Sequence, residues 1–114
     1  MVNPADHVDV EALAELKDIM EDDFDILIDT FVSDSESKIN TLSDIIAAAD
    51  AEELRKVAHS LKGSSSNVCA AQFSEYARQL EHMGKEGTTE GAQQVFDQLK
   101  AEFSNVIETL RNYI

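Results

Sequence analysis

Three residues in the middle of the chain have the types and the spacing that phosphoryl chemistry needs. His59 is followed by Lys62 and Gly63, and positions i, i+3 and i+4 of a helix lie on one face. A neutral imidazole has a free nitrogen lone pair near neutral pH and is able to carry a phosphoryl group as a covalent intermediate. A lysine one turn along would neutralise phosphoryl oxygens, because such transfers depend on positioning and charge stabilisation. The spacing therefore indicates a surface suited to accepting a phosphoryl group.

The apolar residues of the same segment predict that this histidine faces solvent. At about 100° per residue, Leu54, Leu61 and their neighbours form a stripe, and His59 lies opposite its centre. Four residues flank the histidine on that outer side, namely Arg55, Lys62, Gly63 and Ser66. A histidine within the stripe would be a core residue, whereas this placement favours an exposed one.

Gly63 begins a run of small residues for which two interpretations stay open. By propensity, the run over residues 63–67 ends the helix, with Gly63 near the C-cap. Alternatively the helix continues, because Ser65 and Val68 extend the stripe. A glycine inside a helix costs about 1 kcal/mol relative to alanine, and close approach of another molecule to the backbone is one reason to keep it. We expect the helix to continue.

Composition restricts the classes of partner. The 114 residues fit one domain, and a formal net charge of −14 disfavours binding to nucleic acid or to an anionic membrane. Between positions 55 and 85, five basic residues stand against two acidic ones, so we expect an anion to be met at this basic segment. The longest apolar run, residues 45–49, is too short to cross a bilayer, and no secretory signal is recognisable. These features predict a cytoplasmic protein.

Hydrophobic periodicity divides the chain into a short tail, residues 1–8, and five helices. The helices are expected to begin near Asp9, Asp22, Asp50, Ala71 and Thr88 or Thr89, several of which are good N-caps. Ser35 interrupts the stripe of the second helix. Short turns between long helices predict an all-α fold, an antiparallel four-helix bundle over residues 9–114 with a short additional N-terminal helix.

Glu81 is the candidate partner of the second ring nitrogen of His59. It lies beside the apolar stripe of the fourth helix, on the same side as Arg78 and Lys85. If the third and fourth helices are antiparallel, its carboxylate comes close to His59 and fixes the tautomer of the ring. The alternative is a solvated glutamate without that contact.

The run Ala58-His59-Ser60-Leu61-Lys62-Gly63-Ser64-Ser65, with Leu80-Glu81 and Gly84-Lys85 downstream, resembles the signature of histidine-containing phosphotransfer (HPt) domains. The resemblance covers nearly the whole chain. It implies a four-helix bundle in which His59 accepts a phosphoryl group from a receiver-domain aspartate and passes it to an aspartate of another response regulator. It also implies that Lys62 stabilises the phosphoryl group, that Gly63 gives the docking receiver room, and that Glu81, often a glutamine in the family, holds the non-reacting nitrogen. A small residue, commonly glycine, is usual where Cys69 stands.

The resemblance further implies the partners of this phosphorelay, which are receiver domains of hybrid sensor kinases and of response regulators. It implies no cofactor and no metal ion of its own, because the magnesium ion of such transfers lies in the receiver. No kinase-type nucleotide-binding segment is recognisable, so we expect no ATP-dependent kinase activity. The start at Met1 favours a stand-alone protein, which we expect to be a monomer. The residues expected to contact the partner are Arg55, Gly63, Ser66, Lys85, Phe24 and Ile28.

One other class of function stays open. An acidic helical module could bind a partner without covalent chemistry, through a patch formed by Phe24, Ile28 and Val32 near the start of the second helix. Phosphorylation of the histidine separates that class from the first. A metal site is disfavoured, because the histidines and the single cysteine lack the usual zinc-ligand spacing.

Overall fold

The computed structural model describes residues 7–112, and within that range it contains helices and no strand. The helices are α1 (Val10–Met20), α2 (Asp23–Ala47), α3 (Ala51–Asn67), α4 (Ala71–Lys85) and α5 (Ala92–Arg111). Helices α2 to α5 each pack against the next, α5 returns to α2, and α1 contacts α2. Because short turns join these packed neighbours, consecutive helices run antiparallel. The predicted all-α bundle with an additional N-terminal helix is confirmed.

Two of the predicted helix starts are capped as expected. Asp9 accepts a hydrogen bond from the backbone N–H of Ala12 at 3.1 Å, and Asp50 accepts one from Glu53 at 3.1 Å. Each side chain satisfies an N–H group that the first helical turn leaves without a partner.

The predicted start of the last helix is wrong. Helix α5 begins at Ala92, after Gly91 in the left-handed region with φ 81°, and no side chain caps it. The hydroxyl of Thr88 instead accepts a hydrogen bond from the N–H of Glu90 within the preceding turn. Glycine adopts a positive φ at little cost, so the chain uses backbone geometry where the sequence suggested a threonine cap.

Residues ahead of α1 pack against the bundle. Val8 is buried in the core. The Nδ1 atom of His7 lies 2.8 Å from both carboxylate oxygens of Glu102 on α5, and the N–H of Asp9 donates to the carbonyl of Cys69. Residues 7 and 8 of the predicted tail are therefore in contact with the bundle, whereas residues 1–6 lie outside the described part.

Three phenylalanines join the helices at the centre of the bundle. The ring of Phe31 on α2 meets that of Phe73 on α4 edge-on at 6.1 Å, and Phe73 lies 5.6 Å from Phe103 on α5. Ser35, which interrupts the stripe of α2, is also fully buried, and its hydroxyl has no hydrogen-bond partner among the described residues. Helix α4, one of the two helices that carry the candidate site, is thus held by contacts on its side away from solvent.

Candidate functional site

Close packing of α3 against α4 sets the position of the candidate site. Gly84 is buried near the end of α4, and a Cβ there would lie 2.6 Å from both the carbonyl oxygen of Ala51 and the backbone nitrogen of Arg55. At the opposite end of the hairpin, the hydroxyl of Ser74 donates to the carbonyl of Lys62 at 3.1 Å. The start of one helix therefore meets the end of the other, which brings the middle of α4 opposite the middle of α3.

This register brings Glu81 to His59, as the sequence predicted. The His59 side chain is 65% exposed, and its Nδ1 atom lies 2.6 Å from Oε2 of Glu81. An ionised carboxylate only accepts hydrogen bonds, so Nδ1 carries the proton and donates it. Nε2 then keeps its lone pair, and none of residues 7–112 forms a hydrogen bond with it. The ring presents one nucleophilic nitrogen to solvent.

Lys62 pairs with the same carboxylate. Its Nζ atom lies 2.6 Å from Oε1 of Glu81, so both carboxylate oxygens are occupied. The hydrogen bond from Lys62 is the largest cause that lowers the pKa of Glu81, and the bond from His59 adds to it against the opposing effect of burial. Glu81 is consequently ionised at neutral pH. The three side chains form one network, the Lys62–Glu81–His59 triad.

Acidic partners offset much of the positive charge of the basic segment, residues 55–85. Arg55 pairs with Glu52 at 2.8 Å, and Arg78 pairs with Glu75 at 2.6 Å. Lys56 lies 3.5 Å from Glu53. Since Glu52 and Glu53 stand just before the window counted above, residues 52–85 hold five basic and four acidic residues. The segment is therefore less basic than the count over residues 55–85 indicates.

Lys85 differs from those cations, because it forms no ion pair with any residue in the described range. It lines an open depression of 210 Å³ beside the triad, together with Lys62, Arg78, Glu81 and His82. The predicted partner-binding residues Arg55 and Lys85 thus lie on the helices that carry the triad.

Helix α3 continues through the small residues, so the C-cap interpretation of Gly63 is wrong. The hydroxyl of Ser65 donates to the carbonyl of Leu61 at 2.7 Å, and that of Ser66 donates to the carbonyl of Lys62 at 3.0 Å. Such bonds back to the preceding turn let serines stay in a helix that their propensity disfavours. Gly63 is exposed, and a Cβ added there meets nothing within 4 Å. Internal packing therefore does not require a glycine at this position.

Phe24 and Ile28 do not form the exposed patch predicted from the sequence. Their exposed fractions are 0% and 1%, because both belong to the inward stripe of α2 and pack into the core. The exposed large apolar side chains of the described range are instead Ile19, at 80%, and Ile26, at 64%. The signal in the sequence was an isoleucine off the stripe, two positions after Phe24.

The backbone conformation of Cys69 explains why a glycine would suit this position. Its φ is 64°, in the left-handed region that follows the end of α3, and its side chain is half-buried. Burial raises the pKa of its thiol, which is therefore not activated as a nucleophile.

In the described range, no group of three or more histidine, cysteine, aspartate or glutamate residues is placed to hold a metal ion. None of the helices described there has both the length and the apolar character needed to cross a bilayer.

Comparisons with known proteins converge on one family. The family model for the Hpt domain matches residues 26–109. The chain shares 37% sequence identity with histidine-containing phosphotransfer protein B (HptB) from Pseudomonas aeruginosa PAO1. The crystal structure of that protein matches with a TM-score of 0.90 over 94% of this chain and 93% of that one. ZmHP2, a histidine-containing phosphotransfer protein from maize, shares the fold at 18% identity, with a TM-score of 0.78 over 90% of this chain and 83% of that one. Comparison with curated protein sequences gave no match.

Proposed function

This chain belongs to the Hpt domain family, and from that premise we propose that His59 is the residue that carries the phosphoryl group. The observation that supports this most directly is the bond from Nδ1 to Glu81, which leaves the exposed Nε2 with its lone pair. Phosphotransfer by a histidine-containing protein is also what the name of the similar Pseudomonas protein describes.

In the proposed reaction, Nε2 of His59 attacks the phosphorus of an aspartyl phosphate on a receiver domain. The P–O bond to the aspartate breaks, and its electron pair leaves with the carboxylate. The reverse chemistry on a second receiver, in a response regulator, completes the relay. Receiver domains of hybrid sensor kinases and of response regulators are the proposed partners, in the cytoplasm. The chain itself is proposed to work as a monomer that brings neither ATP nor a metal ion to the step.

The surface around His59 supports docking of a folded partner. Gly63 is exposed, with no side chain to obstruct approach, and Ser66 lies one turn from Lys62 on the same helix. Lys85 offers an unpaired cation to acidic groups of the partner. We assign these residues and Arg55 to the docking surface, and we leave Phe24 and Ile28 out of it because they are buried.

A second candidate function is binding without chemistry. The exposed Ile19 and Ile26 favour it, since their burial against a partner would remove apolar surface from water. Both residues could equally serve a receiver that docks before transfer, so only labelling of the histidine separates the two candidates.

The test is a comparison of two histidine variants. His59→Gln should fold as the parent does and accept no label from a phosphorylated receiver domain, because it lacks the nucleophilic nitrogen. His82→Gln is the matched control, because His82 is also exposed and also pairs with a glutamate, Glu86, at 3.1 Å. Label on the His59→Gln protein, or its loss only in His82→Gln, would contradict the assignment.

A further inference from the structure

We propose that residues 7–20 form a strap that opens from the bundle as a unit, and that the pair between His7 and Glu102 is the latch that keeps it closed. The strap consists of residues 7–9 and helix α1. It contains no residue of the triad, and the proposed phosphotransfer does not require it. The strap is therefore a conformational device that is separate from the chemistry at His59.

The latch satisfies a buried charge. Glu102 on α5 is the one charged residue that is buried within residues 7–112, with 6% of its side chain exposed. The Nδ1 atom of His7 lies 2.8 Å from each of its carboxylate oxygens. The other hydrogen bond that this carboxylate receives within the same range, from Nδ2 of Asn105, is long at 3.4 Å. A buried carboxylate that loses its main partner is strongly destabilised, so the closed strap depends on His7.

The rest of the strap has only a small apolar contact with the bundle. Leu13 is the buried residue of α1 and Val8 is buried just ahead of the helix, whereas Leu16 and Met20 are half-buried. An isolated helix shorter than about 12–15 residues is marginal in water, and α1 has 11 residues. Release of the strap should therefore unfold α1 as well as detach it.

The turn formed by Glu21 and Asp22 joins the strap to α2 and is the expected hinge. Glu21 has a positive φ of 52°, a conformation that residues other than glycine adopt at a cost. The bundle keeps its own core without α1, because the three phenylalanine rings at its centre lie on α2, α4 and α5. Opening at this turn would therefore release the strap without unfolding the bundle.

The single cysteine of the chain lies where it reports whether the strap is closed. The backbone N–H of Asp9 donates to the carbonyl of Cys69 at 2.9 Å. Burial, and to a smaller extent the charge of Asp9, raise the pKa of the Cys69 thiol. Cys69 also packs against the apolar core to which Val8 belongs. Because opening removes Asp9 and Val8 from this region, the thiol should react faster when the strap is open.

The experiment combines hydrogen–deuterium exchange, read by mass spectrometry, with the rate at which a maleimide labels Cys69 at the same pH. His7→Ala breaks the latch and leaves the carboxylate of Glu102 without its main partner. His82→Ala is the matched control, since it breaks a pair with Glu86, at 3.1 Å, in which both side chains are exposed. Circular dichroism checks that each variant is folded.

The expected result is faster opening of the strap alone. In His7→Ala, the amides of residues 10–20 should exchange at least about tenfold faster than in the parent, while those of α3 and α5 keep their rates. Labelling of Cys69 should also accelerate, and His82→Ala should match the parent in both measurements. Unchanged exchange over residues 10–20, unchanged labelling of Cys69, or acceleration spread evenly over all helices would overturn the proposal.

A second variant tests the part played by the buried charge. Adding Glu102→Leu to His7→Ala removes the unpaired carboxylate, and an apolar side chain suits a buried position. The double variant should therefore exchange more slowly over residues 10–20 than His7→Ala does. A double variant as open as His7→Ala would contradict the role of the latch in satisfying this charge.

The parent alone answers the question if His7→Ala is unfolded. Opening of the strap exposes less surface than unfolding of the whole chain, so exchange over residues 10–20 should depend less on low concentrations of urea than exchange in α5 does. The same urea dependence in both segments would overturn the proposal. Failure of the proposed function would show differently, because it concerns a label on His59, which none of these measurements uses.

Discussion

At the level of single residues, one carboxylate serves two partners. Glu81 fixes the tautomer of His59 through one oxygen and holds Lys62 through the other. The sequence identified all three residues, but it did not reveal that Lys62 is bound to Glu81. Those two positions are 19 residues apart, and their contact depends on the register between two helices.

Replacing Lys62 tests its part in the transfer. Lys62→Ala should slow phosphoryl transfer by at least about tenfold, because a cation that neutralises developing charge is lost. The fold should be nearly unaffected, since a partly exposed ion pair contributes only about 0–1 kcal/mol. Lys56→Ala, which removes an exposed lysine paired with Glu53, is the matched control. Equal transfer rates for the two variants would remove the role assigned to Lys62.

The pH dependence of the triad has a definite sign. Because the pKa of Glu81 is lowered in the folded chain, its interactions stabilise the fold above the pKa of the unfolded chain. That stabilisation is lost as the pH falls through the lowered value, when the carboxylate takes up a proton. Nitrogen NMR of the His59 ring should accordingly show Nδ1 bonded to Glu81 at neutral pH. The bond should be lost only in acid, and its loss already near neutral pH would contradict this account.

At the scale of the elements, α3 and α4 act as one unit that carries the site. Two glycines on this hairpin have opposite roles, because Gly84 is buried against the backbone of α3 and Gly63 faces solvent. Gly84→Ala should destabilise the chain by about 1–3 kcal/mol, since backbone atoms must move to admit the methyl group. Gly63→Ala should instead stabilise it by about 0.5–1 kcal/mol, as expected for an exposed position inside a helix.

Urea unfolding of the two variants measures this contrast. Equal stability of Gly84→Ala and the parent would contradict the close approach of the helices.

A bulky side chain at position 63, such as Gly63→Gln, should preserve the fold and weaken receiver binding. Undiminished binding would remove Gly63 from the docking surface.

Local signals in the sequence predicted where helices begin better than they predicted which apolar residues those helices bury. Asp9 and Asp50 were recognised as caps because capping depends on residues within three positions. The start of α5 was missed because Gly91, at positive φ, replaces a side-chain cap. Phe24 and Ile28 were wrongly expected at the surface, because which apolar positions of a helix stay exposed depends on the neighbouring helices.

At the level of the whole molecule, the apolar core lies inside the bundle and the triad lies at its surface. The rings of Phe31, Phe73 and Phe103 connect α2, α4 and α5. Phe31→Ala should lower the free energy of unfolding by about 3–5 kcal/mol, because it leaves a cavity and loses ring contacts. Urea or thermal unfolding measures this. A variant as stable as the parent would contradict the core assignment.

The charge of the whole chain fits a protein that docks on a defined partner surface. A net charge of −14 keeps it away from nucleic acids, while the residues around the triad are nearly balanced. The acidic residues of a receiver's own pocket would then meet a nearly balanced surface and not a strongly negative one.

We propose that Nε2 of His59 carries a phosphoryl group received from a receiver domain. The most direct measurement incubates the intact chain with a phosphorylated receiver and maps the modified residue by mass spectrometry under alkaline conditions, which preserve phosphohistidine. We predict a single modified residue, His59. A modification found on another residue, or none at all with a receiver that is demonstrably phosphorylated and bound, would contradict the account.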